Sequence, residues 1–198
     1  MAAARLVLGS GSPRRREILE SLRIPFFVRI PHVDETVQPG EGPDAYLERV
    51  VGAKLGAVHA LLDEAEQQTA AIILVADTSV IHRGEILGKP ANVEHAEAMV
   101  RALAGDTHEV KTRFALASSA TGLPFHAETV TTKVTFRALS DEEIRDYAAS
   151  GEGADKAGAY AVQGFGASFV SRIDGNYSNV VGLPACELVV ALQRHAPR

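Results

Sequence analysis

The chain has a single cysteine, Cys186, so it cannot close an internal disulfide. That suits a reducing compartment. It has no basic excess: the formal net charge is −5, which argues against a general nucleic-acid binder. Aromatic residues are only 6% of the total, few for a surface that stacks on successive bases. No apolar run approaches the ~18 residues of a membrane span. The N-terminal run is interrupted by Arg5 and is too short for a secretory h-region. The expectation is a cytoplasmic protein with neither a membrane nor a nucleic-acid partner. The 7 histidines show no metal-ligand spacing. There is no Gly-x-Ser-x-Gly elbow, and no Gly-Lys-Ser/Thr follows the early glycines, which excludes a Walker loop.

What is present is 198 residues with 46% apolar content, enough for one domain or one bilobed domain over 1–198. Leu6 to Leu8 read as a short buried strand, broken by Gly9-Ser10-Gly11-Ser12. Ser12 suits an N-cap and Pro13 the first position of a helix to about Leu22. Phe26 to Ile30 reads as a strand, and Asp44 to about Gln67 as one long amphipathic helix with Leu47, Val50, Val51, Val58 and Leu61 on one face. Ala71 to Ile81 is β-rich and turns at His82-Arg83-Gly84-Glu85. Asn92 caps a helix stopped by Gly105. Val110 to Ala117 and Ala127 to Phe136 are strands. Ser140 and Glu143 form a capping-box pattern, Ser168 to Ile173 is a strand, and Pro184 to His195 a closing helix. Cys186 is expected in its core. The mixed order of helices and hairpins indicates an α/β fold with a mixed sheet.

Several segments carry chemistry. At Gly9 to Arg16 a strand enters a small-residue turn from which a helix starts, and such an end attracts anions. Arg14, Arg15 and Arg16 crowd the positive pole of that helix, which is locally unfavourable. A bound polyphosphate offsets the repulsion, and guanidinium forks match its oxygens. Arg16 is expected to be merely solvated. Asp77-Thr78-Ser79 places a charge in an apolar strand, costly unless paired, metal-bound or at a strand end. Lys54 lies on the apolar stripe of its helix and either snorkels or reaches a polar pocket. Pro90 holds Lys89 extended. The Asp155–Gly164 stretch is glycine-rich, and the Gln163 amide both donates and accepts, as a base edge requires. Asp34-Glu35 is a solvated loop pair or a hard-cation site.

In order along the chain, Ser10-Gly11-Ser12-Pro13-Arg14-Arg15, Val33-Asp34-Glu35-Thr36, Ala76-Asp77-Thr78, Gly88-Lys89-Pro90, Lys156-Ala157-Gly158-Ala159-Tyr160, Val162-Gln163-Gly164 and Asn176 to Pro184 resemble the Maf family of nucleoside triphosphate pyrophosphatases. The resemblance implies a Maf/inosine-triphosphatase-like α/β fold, with a long mixed β-sheet flanked by helices and two lobes around a cleft. It implies Asp77 as the base that activates water. Arg15, Lys54, Lys89 and Lys156 would bind phosphate, Arg14, Thr78 and Gln163 would set substrate choice, and Ser10 and Ser12 would be further substrate-binding residues. A divalent cation, Mg²⁺ with Mn²⁺ as the alternative, would sit on Asp77 and Glu35. A homodimer is also implied. Ala-Asp-Thr and Val-Gln-Gly, in place of Ser-Asp-Gln and Lys-Ser-Glu-Gly, resemble the dTTP/UTP branch rather than the 7-methyl-GTP branch. Leu55 stands where the family more often has alanine. The rival readings are a pyrophosphatase for 7-methyl-GTP or inosine-type nucleotides, and a nucleotide-binding inhibitor of septum formation with a cell-division partner.

Overall fold

The structure is a computed structural model that describes residues 5–195. The expectation placed on Met1 to Ala4 lies outside the described residues. Within them, seven strands form one mixed sheet in the order β2-β1-β3-β5-β6-β7, with β4 paired to β3. The strands are β1 (Arg5–Gly9), β2 (Phe26–Val28), β3 (Ala70–His82), β4 (Glu85–Leu87), β5 (Thr107–Ser118), β6 (Pro124–Phe136) and β7 (Val170–Asp174). β1 is parallel to both β2 and β3, whereas β3–β4 and β6–β7 are antiparallel. Helices are α1 (Pro13–Ser21), α2 (Pro43–Leu61), α3 (Glu64–Thr69), α4 (Val93–Leu103), α5 (Asp141–Ser150), α6 (Tyr177–Val181) and α7 (Ala185–His195). No helix among the described residues is long and apolar enough to cross a membrane.

The chain divides into two compact units. Of the described residues, the first comprises 5–77, Thr112–Thr129 and 182–195; the second comprises Thr78–Lys111 and Val130–Val181. In the first, α2 packs on the parallel strands. Val51, Leu55 and Val58 meet Val7, Ile73 and Val75, the near-continuous apolar pattern of strands buried on both faces. Gly9 permits the approach. A Cβ there would lie 2.5 Å from Val58 Cγ2 and 2.7 Å from Val75 Cγ1. In the second, Met99, Val100 and Leu103 of α4 and Ile144 and Tyr147 of α5 pack with Phe136 and Phe169. The β3–β4 turn has positive φ at Arg83 (51°) and Gly84 (86°), as a two-residue hairpin of matching twist demands.

Four local expectations are corrected. The long helix is two: α2 stops at Leu61, and Asp63 and Glu66 cap α3 through a reciprocal capping box. The Asp-x-x-Glu signature was legible and competed with the apolar stripe. In consequence Leu61 is exposed, and Leu62 is buried in its place. Ser168 belongs to a 3-10 turn, Gly164–Phe169, and the strand begins at Val170. Cys186 is exposed, because α7 buries the face bearing Leu188 and Ala191. Ser12 occupies the N-cap position of α1, but its side chain makes no cap bond.

Candidate functional site

In the first unit a charged cluster gathers at the C-terminal ends of β1 and of the β3 segment. Asp77 and Lys54 are both buried, at 8% and 7% exposure. The Lys54 Nζ donates to Asp77 Oδ1 at 2.7 Å and lies 2.8 Å from Glu35 Oε1. Lys54 therefore does not snorkel. Its place on the buried stripe of α2 delivers the ammonium to two carboxylates, one of which sits on an exposed loop.

That loop is braced by residues not singled out from the sequence. Arg49 grips Glu41 with both forks, Nε to Oε1 at 2.6 Å and Nη2 to Oε2 at 2.8 Å, and donates to the carbonyls of Thr36 and Asp34. Tyr46 Oη donates to the Glu35 carbonyl at 3.1 Å. The hydrogen bonds from Arg49 and from the Gln38 amide hold the Glu41 carboxyl down at about 2. Burial, and then the carboxylates of Asp77 and Glu35, push the Tyr46 phenol well up. The only sequence signal for this brace was an Arg and a Glu eight residues apart, flanking a helix start.

The turn after β1 is built from within. The Ser12 amide donates to Ser10 Oγ at 3.2 Å, and Arg15 Nη1 donates to the same oxygen at 3.0 Å. Arg15 Nε donates to the Gly182 carbonyl at 2.9 Å. Arg15 is buried; desolvation lowers its pKa, while the Asp77 charge acts in the opposite sense. Arg15 thus ties the turn to the start of the closing segment as well as placing a cation beside Asp77. Arg14 is half-buried. Arg16 is not simply solvated: its Nη2 folds back onto the Gly11 carbonyl at 2.9 Å.

The remaining expected site residues belong to the second unit. Thr78 follows Asp77 on β3 and is half-buried; Lys89 and Gln163 are exposed. The Gly158 amide donates to the Gly88 carbonyl at 3.0 Å, which brings the Lys89 segment against the Lys156 segment. Gly158 has φ of 70° and a Cβ there would meet Val80 at 3.0 Å, so only glycine suits. Lys156 Nζ donates to the Glu152 carbonyl at 2.6 Å and to Asp155 Oδ1 at 2.5 Å. Part of the Asn176–Asn179 motif is structural. Asn176 Oδ1 accepts from the Ser178 amide at 2.9 Å, and Asn179 Nδ2 donates to Thr132 Oγ1 and the Val110 carbonyl.

Among the described residues no group of three His, Cys, Asp or Glu could hold a metal. Asp77 and Glu35 do converge on one cation, the Lys54 ammonium. That donor set fits a hard ion such as Mg²⁺, which takes one or two carboxylates and completes its shell with substrate phosphates and water.

The profile of the family described as "Maf-like protein" matches residues 5–195. A protein of Hahella chejuensis named dTTP/UTP pyrophosphatase is 47% identical over 189 residues, 96% of this chain and 91% of its own. A protein of the same name from Myxococcus xanthus is 48% identical, covering 96% and 91%. One from Escherichia coli O157:H7 is 46% identical, covering 92% and 88%. A solved HAM1 protein from Coxiella burnetii is a remote likeness, 15% identical with a TM-score of 0.48 over 98% of this chain and all of its own. With the family profile matching residues 5–195 and relatives near half identity over about nine-tenths of their own lengths, the chain belongs to the Maf-like protein family.

Proposed function

We propose that the chain hydrolyses dTTP and UTP at the α–β phosphoanhydride, releasing the monophosphate and pyrophosphate, with a divalent cation as cofactor. The name shared by relatives at 44–48% identity supports the substrate class. The observation that carries the chemistry on this chain is Asp77, a buried carboxylate in an apolar strand, held by the Lys54 ammonium at 2.7 Å.

Asp77 is the general base. Lys54 fixes one carboxylate oxygen and leaves the other to take a proton from water. The water oxygen bonds to the α-phosphorus, the bond from that phosphorus to the bridging oxygen breaks, and the electron pair leaves with pyrophosphate. Arg14 and the α1 N-terminus draw off phosphate charge. Ser10, Ser12 and Arg15 hold the turn that presents those groups, and Lys89 and Lys156 are further phosphate contacts. Arg14, Thr78 and Gln163 set the choice of base and sugar. Asp77 and Glu35 would hold the cation, which when bound neutralises phosphate charge. A homodimer also follows from the family resemblance, and sedimentation of the purified chain tests it.

The deciding experiment is pyrophosphate release across a panel of nucleoside triphosphates with Mg²⁺ or with chelator. Strong release from dTTP and UTP that chelator abolishes is expected. Asp77→Asn should lower kcat by about 10²–10⁴-fold and leave nucleotide binding nearly intact. Retained turnover in that variant removes Asp77 from the base role, and activity confined to 7-methyl-GTP or ITP overturns the substrate reading.

A further inference from the structure

Glu152 lies just beyond α5, eleven residues before Gln163, and no motif points to it. Its carboxylate accepts three hydrogen bonds, two of them from the segment that carries Gln163. Oε2 takes the Phe165 amide at 2.9 Å, and Oε1 takes the Gly166 amide at 2.9 Å and the Tyr147 hydroxyl at 3.1 Å. The Tyr147 oxygen in turn accepts the Ala161 amide at 2.9 Å. The Glu152 carbonyl accepts the Lys156 ammonium. Gln163 is thus flanked on both sides by amides tied to one carboxylate–phenol pair. Gly164 completes the device. Its φ is 75°, a conformation that residues with a side chain rarely adopt, and a Cβ there would sit 2.6 Å from Glu152 Oε2 and displace that carboxylate from its amides. Burial alone would raise the Glu152 pKa, but the Gly166 and Phe165 amides and the Tyr147 hydroxyl outweigh it and keep the group ionised. Ionised acceptors make the stronger bonds.

We propose that Glu152, acting through Tyr147 and the 161–166 backbone, is the positioning residue that holds the backbone from which the Gln163 side chain projects, and so is a determinant of base selectivity. This rests on the pyrophosphatase reading above. A glutamine carried on an unconstrained glycine-rich loop can shift as a whole to meet any base edge, whereas one carried on a held backbone meets fewer of them.

The test is kcat/KM for dTTP relative to GTP in wild type, Glu152→Gln, Tyr147→Phe, Gln163→Ala and the double variant Glu152→Gln/Gln163→Ala. A ratio between two substrates cancels any loss of folded enzyme. Glu152→Gln should lower the ratio about tenfold, as loss of roughly one charge-assisted contact implies. Tyr147→Phe should lower it less. In the Gln163→Ala background, Glu152→Gln should change the ratio no further. An unchanged ratio in Glu152→Gln, or full additivity with Gln163→Ala, overturns the inference while wild-type activity still stands. Failure of wild type to release pyrophosphate refutes the underlying function instead.

Discussion

Replacing Lys54 with methionine isolates the central ion pair, because methionine keeps most of the apolar stem and removes only the ammonium. Taking one partner from a buried pair costs about 3–5 kcal/mol, since the other charge is left without compensation. Here the two carboxylates differ. The Asp77 side chain is 11% exposed and the Glu35 side chain 44%, so water re-solvates Glu35 and that half contributes under about 1 kcal/mol. The expected loss is therefore about 3 kcal/mol, nearly all from Asp77. For a chain of this length each kcal/mol moves Tm by about 2–4 °C, so a fall of about 6–12 °C is expected by calorimetry. The double variant Lys54→Met/Asp77→Asn removes both charges and should recover at least about half of that fall. A loss under about 1 kcal/mol, or a double variant no more stable than Lys54→Met, would refute the claim that the pair is buried and mutually compensating. Activity should be lost in either case.

Burial, with a smaller push from His82 against the pull of Asp106, lowers the His108 pKa to about 4. The unfolded chain binds this proton first, so stability falls as pH drops from about 6.5 to about 4, by about 3 kcal/mol in all. Urea midpoints of His108→Gln should decline less over that window, and parallel curves would exclude His108 as the cause. The Glu41 carboxyl is held near 2 by Arg49, so Arg49→Lys, which lacks the planar fork, should move its titration up toward the ordinary carboxylate range. Carboxyl chemical shifts against pH check this, and an unmoved Glu41 means that Arg49 is not the brace of the Glu35 loop.

Much of this was legible because the site residues sit where strong local rules are broken. An aspartate within Ile-Ile-Leu-Val-Ala, a lysine on a buried helix stripe and arginines at a positive helix pole each conflict with their surroundings. The strands β3, β5 and β6 were found but placed short; β5 lost its first residues because Thr107, His108 and Glu109 are polar and periodicity fades there. Supporting residues stayed hidden for a different reason. Tyr46, Arg49 and Glu152 obey local propensity: they look like ordinary helix or loop residues, and their partners include backbone groups of a neighbouring loop, outside any helical or strand spacing. Cys186 was misplaced because composition favours burial of cysteine, whereas the helix face decides it.

Gly9 has a consequence for the chemistry although it bears no functional group. Lys54 and Val58 are one helical turn apart on one face of α2, and Val75 and Asp77 share one face of β3. The helix and strand that carry the ammonium and the carboxylate therefore meet through Val58 and Val75, at the very spot where Gly9 has no Cβ. The missing methyl group acts as a gauge for the site. It lets helix and strand close to the spacing at which a lysine and an aspartate can share a hydrogen bond. A single added carbon at position 9 would widen that gap and pull the aspartate and the lysine apart, without touching either of them.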